Sequence, residues 1–155
     1  MNIMQVKKSL TLLELLIVMA IIGILAVVAI PRYTGARLAA EHSKAQHNVA
    51  LIAQAEKIVQ IQRNDGNYVN TSSGSLNAHI GDHGSEASCR AALGPPVGAN
   101  CSGIDLSAVD ADELWSYSVS AAEQTITATK QDGRCSGGSF TYDLNENNFG
   151  DLSCP

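Results

Sequence analysis

A run of apolar residues, Leu10 to Ile30 (LTLLELLIVMAIIGILAVVAI), constrains this chain more than any other feature. It is 21 residues long, stops at Pro31 and holds one charge, Glu14. About 20 apolar residues in a helix suffice to cross the hydrocarbon core of a bilayer. A carboxylate within such a span costs about 2.5–3.5 kcal/mol or more unless something neutralises it. Two questions follow: whether the run spans a membrane, and what pairs with Glu14.

The flanks bear on the first question. Lys7 and Lys8 precede the run, and no acidic residue lies before it. Positive charge stays on the cytoplasmic side, which places the remainder of the chain outside. A secretory signal has a shorter apolar core followed by a small-x-small cleavage site. Here Ile24–Ile30 continues the apolar pattern to Pro31, so the run reads as retained.

The rest of the 155 residues allows one compact domain. Beyond about residue 66, charges are few and Ser, Gly, Asn and Thr are many, a composition suited to a loop-rich extracellular β-region. Net charge is −5, and seven of the ten Lys and Arg residues lie at or before Arg63. No basic footprint for nucleic acid emerges, since the head offers only Arg90, Lys130 and Arg134. The four cysteines form no CxxC pair, which argues against redox and zinc-knuckle chemistry. An even number beyond a membrane segment points to disulfides in an oxidising compartment, against four free thiols in a cytosolic domain. Three connectivities exist. The local pairing, Cys89–Cys101 and Cys135–Cys154, is favoured and closes two modest loops.

Ser9 to Pro31 (SLTLLELLIVMAIIGILAVVAIP) resembles the N-terminal segment of type IV pilins and of the secretion pseudopilins. The resemblance implies that a prepilin peptidase removes residues 1–9 by cutting between Ser9 and Leu10. It then methylates the new amine of Leu10. The family carries Gly and Phe at these two places; Ser9 keeps the cut small and Leu10 keeps the next residue apolar. By the same resemblance, Glu14 meets the α-amine of a neighbouring subunit during assembly. A misregistered subunit would leave both charges desolvated and unpaired, at a cost of several kcal/mol. Glu14 could also pair with its own Leu10 amine one turn away, or merely sit near the headgroups. Gly23 and Pro31 fall where the family loosens its helix, and they weaken helix by roughly 1 and 3 kcal/mol relative to Ala. A Gly tolerated at a helix–helix contact is the alternative reading of Gly23.

Beyond Pro31 the helical pattern resumes. Ala45, Val49, Ile52, Ala55 and Val59 recur at helical spacing, widened by Leu51 and Ile58, and Asn64-Asp65-Gly66 supplies a stop. The spacing predicts one helix over about residues 10–63, kinked near Pro31. Residues 67–113 show weak periodicity, with a short helix expected at Glu86–Leu93 and a capping box at Ser107-x-x-Asp110. From Leu114, apolar and Ser/Thr residues alternate around Trp115–Val119, Thr125–Thr129 and Phe140–Tyr142, which predicts three strands, with Asn147–Ser153 as a fourth.

The expected fold class is α+β: a long N-terminal helix, transmembrane in its first half and amphipathic in its second, packed on a C-terminal antiparallel sheet. The expected segments are a leader (1–9), an assembly helix (10–30), an amphipathic helix (31–65), a loop region (66–113) and a sheet with a C-terminal disulfide loop (114–155).

Other chemistry is thinly supported. Asp143, Asn145, Asn147 and Asp151 alternate faintly like a calcium loop, but Asn148 and Cys154 occupy the places of its Gly and bidentate Glu, so a plain turn is expected. His79 and His83 lie among glycines that favour a loop over a zinc site. No nucleophile elbow is present, and neither catalysis nor a cofactor is expected. The resemblance implies a type IV pilus subunit for adhesion, motility or DNA uptake. Its implied partners are further copies of itself, minor pilins, prepilin peptidase, and an inner-membrane platform with its ATPase. The alternatives are a type II secretion pseudopilin and a non-polymerising anchored binding domain. The implied location is the inner membrane and then the extracellular filament.

Overall fold

The computed structural model describes residues 11–63, 66–81 and 102–155. The expected leader, its cleavage point at Ser9 and Leu10, the Glu86–Leu93 helix and the Cys89–Cys101 pair lie outside those residues. The chain divides into two units, up to Glu41 and His42–Pro155. Helix α1, Leu12–Arg63, contributes to both and is helical without interruption through Gly23 and Pro31.

Among its described residues, the first unit holds only the first part of this helix. Every residue from Leu12 to Ile30 is exposed within the subunit. Further along, Arg37 Nε donates to Glu41 Oε1 at 2.8 Å, one turn apart.

The second unit owns the hydrophobic core. Ala45, Val49, Ile52, Ala55 and Val59 are completely buried, as the helical spacing predicts. They share one cluster with Trp115, Tyr117, Ile126, Ala128, Phe140 and Leu144 from the sheet side. The described strands are β1 (Thr71–Ser72), β2 (Trp115–Ser120), β3 (Thr125–Lys130), β4 (Ser139–Asp143) and β5 (Asn148–Phe149). They form an antiparallel sheet in sequence order. Register explains the alternation. Tyr117 faces Ala128, which faces Phe140, and Val119 faces Ile126, which faces Tyr142, all on the buried side. The opposite rows are Ser116–Thr129–Ser139 and Ser118–Thr127–Thr141, so one face is apolar and the other carries hydroxyls.

Several details differ from the sequence expectations. The fourth strand is shorter than expected, with β5 at Asn148–Phe149 and a separate bridge from Ser139 to Ser153. Two elements that the sequence pattern does not predict carry too few residues to show a period: β1, and helix α2 (Leu76–Ile80). His79 therefore lies on a helix, not a loop, and its Nδ1 sits 2.8 Å from the Ser75 carbonyl. Ser107 begins helix α3 (Ser107–Asp110) but makes no capping bond. Its own N–H donates to Asp105 Oδ1 at 2.9 Å. Asp110 instead accepts from the backbone N–H groups of Gly74, Leu76 and Asn77 at 2.8–3.0 Å, satisfying the open end of α2. Lys130 is buried, its ammonium 5.2 Å from the Trp115 ring centroid, so it adds no charge to the head surface.

Candidate functional site

The site begins where α1 begins. Thr11 caps the helix: its hydroxyl accepts the Glu14 N–H at 3.2 Å and its carbonyl accepts the Leu15 N–H at 3.2 Å. Thr11-x-x-Glu14 has the residue order of a capping box, which the apolar character of the run masks. Glu14 thus sits in the first turn, where the positive end of the helix dipole favours a carboxylate. From Leu12 to Ile30 the helix presents no polar face, and it is long and apolar enough to cross a membrane. Such a surface is stable in water only when lipid or protein covers it.

Gly23 lies within this stretch, and a Cβ placed there would meet nothing within 4 Å. The subunit's own packing therefore gives no reason for glycine at this position. The backbone at Pro31 is helical.

The far end of the chain is tied down. Cys135 and Cys154 form a disulfide with Cα atoms 5.1 Å apart. Between them the backbones approach so closely that a Cβ at Gly138 would lie 2.7 Å from the Ser153 carbonyl oxygen. Asp143 Oδ1 accepts from the N–H groups of Asn145 and Glu146 at 2.8 and 2.9 Å, which makes the acidic stretch a self-satisfied turn. Asn147 Oδ1 receives bonds from Lys57 and Tyr142. Among the described residues, no group of three His, Cys, Asp or Glu side chains is placed to hold a metal. His83 lies outside them.

Two polar features of the head escape sequence reasoning. Asp112 Oδ2 accepts from Asn48 Nδ2 and the Tyr117 hydroxyl, both at 3.0 Å, and lies 3.2 Å from Lys44 Nζ. Burial drives the Tyr117 phenol well above its usual range; Asn48 Nδ2, which donates to the phenol oxygen at 2.9 Å, opposes the shift and the Asp112 carboxylate adds to it. Glu56 is fully buried. Its Oε2 accepts the Val69 N–H at 2.9 Å, and its Oε1 has no hydrogen bond among the described residues. Loss of hydration pushes its carboxyl up to about 7, with the Val69 bond and the Arg63 charge opposing the rise. A signal for Glu56 exists in the sequence. It stands between Ile52 and Val59 at the spacing of the apolar stripe, where a helix places its core.

Glu14 is held in a capped first turn, on a helix whose apolar surface its own subunit leaves open. Neither a curated protein nor a solved structure matches the chain. Residues 4–30 match the family model for the prokaryotic N-terminal methylation motif, so the chain carries the cleavage and methylation segment of type IV pilins and pseudopilins.

Proposed function

We propose that this protein is the structural subunit of a type IV pilus, stored in the inner membrane and polymerised through α1 into a surface filament for adhesion, motility or DNA uptake. One observation carries the reading. The helix from Leu12 to Ile30 is apolar all round and exposed throughout, with Glu14 as its only charge. Lipid covers that surface before assembly and neighbouring copies cover it afterwards. Removal of residues 1–9 by prepilin peptidase frees the amine of Leu10, which is then methylated. In the filament, that amine meets Glu14 of a neighbouring copy, and the pair sets the register. Gly23 and Pro31 let the intervening helix loosen as copies pack. Cys89–Cys101 and Cys135–Cys154 brace the head. Minor pilins, an inner-membrane platform and its ATPase complete the machinery.

The self-satisfied turn at Asp143 and the disulfide-closed C-terminus favour a pilin over a secretion pseudopilin. The test is Glu14→Ala with an assay of sheared fibres and membrane-held monomer. Loss of fibres with monomer retained is expected; a normal fibre yield would sink the register role. Intact mass tests processing, with the expected mature chain starting at Leu10 and carrying one added methyl group. Fibres confined to the cell envelope would favour the pseudopilin.

A further inference from the structure

Helix α1 carries two charges at the limits of its apolar stretch, and their separation is informative. Between Glu14 and Arg32 every residue is uncharged. Eighteen residue steps along an α-helix amount to about 27 Å. The hydrocarbon core of a bilayer is about 30 Å thick. The two charges can therefore reach opposite membrane boundaries at once, provided the helix sits at one particular depth.

The residues at the outer limit are suited to hold that depth. Arg32 is exposed and makes no ion pair among the described residues. Tyr33 beside it is 70% exposed. The next cation, Arg37, is already paired with Glu41 at 2.8 Å. A free guanidinium binds phosphate through several donors and has a stem long enough to rise out of the hydrocarbon. A phenol ring prefers the headgroup level, where its ring lies in an apolar layer and its hydroxyl in a wet one.

We propose that Arg32 and Tyr33 form a lipid-headgroup site, in which the Arg32 guanidinium binds phospholipid phosphate and fixes the depth of the unassembled subunit. The proposal rests on the membrane-stored stage of the pilin reading. It changes where Glu14 waits. With Arg32 at the outer phosphates, Glu14 lies about 27 Å away along the helix, close to the inner boundary and not near the bilayer centre. Side chains lean toward the helix N-terminus, which carries the Glu14 carboxylate further toward the inner headgroups; the same lean tilts Arg32 inward, and its long stem turns back to bring the guanidinium to the outer phosphates. The carboxylate then stays near water, and near the end where a processed amine would emerge, until a neighbouring copy arrives.

The test places the full chain in vesicles of phosphatidylethanolamine and phosphatidylglycerol whose acyl chains carry bromine at a chosen depth. Tyr33→Trp supplies the reporter, and Trp115, enclosed in the head core, supplies an unquenched reference. Quenching of the reporter is expected to be strongest with bromine near the headgroups. In the double variant Arg32→Gln, Tyr33→Trp, the depth profile should shift, because the phosphate contact is lost. Quenching strongest near the bilayer centre, no quenching, or an unshifted profile in the double variant would overturn the proposal. A chain that does not partition into vesicles at all would instead defeat the membrane-stored stage itself.

Discussion

Helix α1 contains two stretches of similar length with opposite designs. Leu12–Ile30 is apolar around its whole circumference and exposed throughout. Residues 45–59 confine their apolar side chains mainly to one stripe, and that stripe is buried against the head's own sheet. The difference teaches that helix formation and core formation are separate problems here. The second stretch completes its packing inside one chain. The first does not, because among the described residues of its unit there is no other element to face it, so its burial must come from outside.

The largest test of this contrast compares equivalent truncations in the two stretches. Ile52→Ala should lower head stability by about 2–5 kcal/mol, since it opens a cavity in a packed core. Ile22→Ala removes the same atoms from an exposed position, and should leave the head's unfolding free energy in urea within about 0.5 kcal/mol of the parent. Denaturation of detergent-held protein followed through Trp115 fluorescence reads both. Equal effects would mean that the first stretch packs within the subunit after all.

The next effect in size concerns charge in the core. The Glu56 carboxyl is raised from 4.5 to about 7 on folding, chiefly by desolvation. The unfolded chain therefore releases this proton at lower pH than the folded head does. The contribution of Glu56 is most favourable below about pH 4.5, falls as pH rises toward 7 and is flat above that, a loss on the order of 3 kcal/mol. Glu56→Gln should flatten this part of the stability–pH profile while keeping an acceptor for the Val69 N–H. An unchanged slope between pH 4.5 and 7 would show that Glu56 is not the responsible group.

The smallest effects separate two ion pairs. Arg37–Glu41 is the shorter at 2.8 Å, but its arginine is 66% exposed. Lys44–Asp112 spans 3.2 Å, and its carboxylate is buried and also serves Asn48 and Tyr117. Asp112→Ala should destabilise the head by about 2 kcal/mol, because it leaves buried donors without an acceptor. Arg37→Ala should change stability by less than about 0.5 kcal/mol, because water screens an exposed pair. The reverse order in thermal melts would mean that distance matters more than burial.

Sequence reading succeeded where a period repeats over enough residues. The apolar run, the Ala45–Val59 stripe and the alternations that became β2, β3 and β4 are all of this kind. It failed where an element is too short to repeat, as in the two-residue β1 and the five-residue α2. It also failed where a polar group finds a distant partner. Ser107-x-x-Asp110 has the form of a local cap, yet Asp110 serves backbone N–H groups more than 30 residues earlier in the chain. Glu56 and Lys130 are charged residues in buried positions, and composition alone puts such residues outside.

By itself, the sequence determined a helix too apolar to stand in water, a single carboxylate in its first turn, and the stripe and strands from which a head could be built. Those are local properties, set by residue type and spacing along one element. Only the tertiary structure decided which polar groups meet. Asp112 closes on Asn48 and Tyr117, Glu56 closes on Val69, and Asp110 closes on the start of α2. The reason is physical: a buried polar group is stable only with a partner, and folding, not chain order, brings those partners within hydrogen-bond reach.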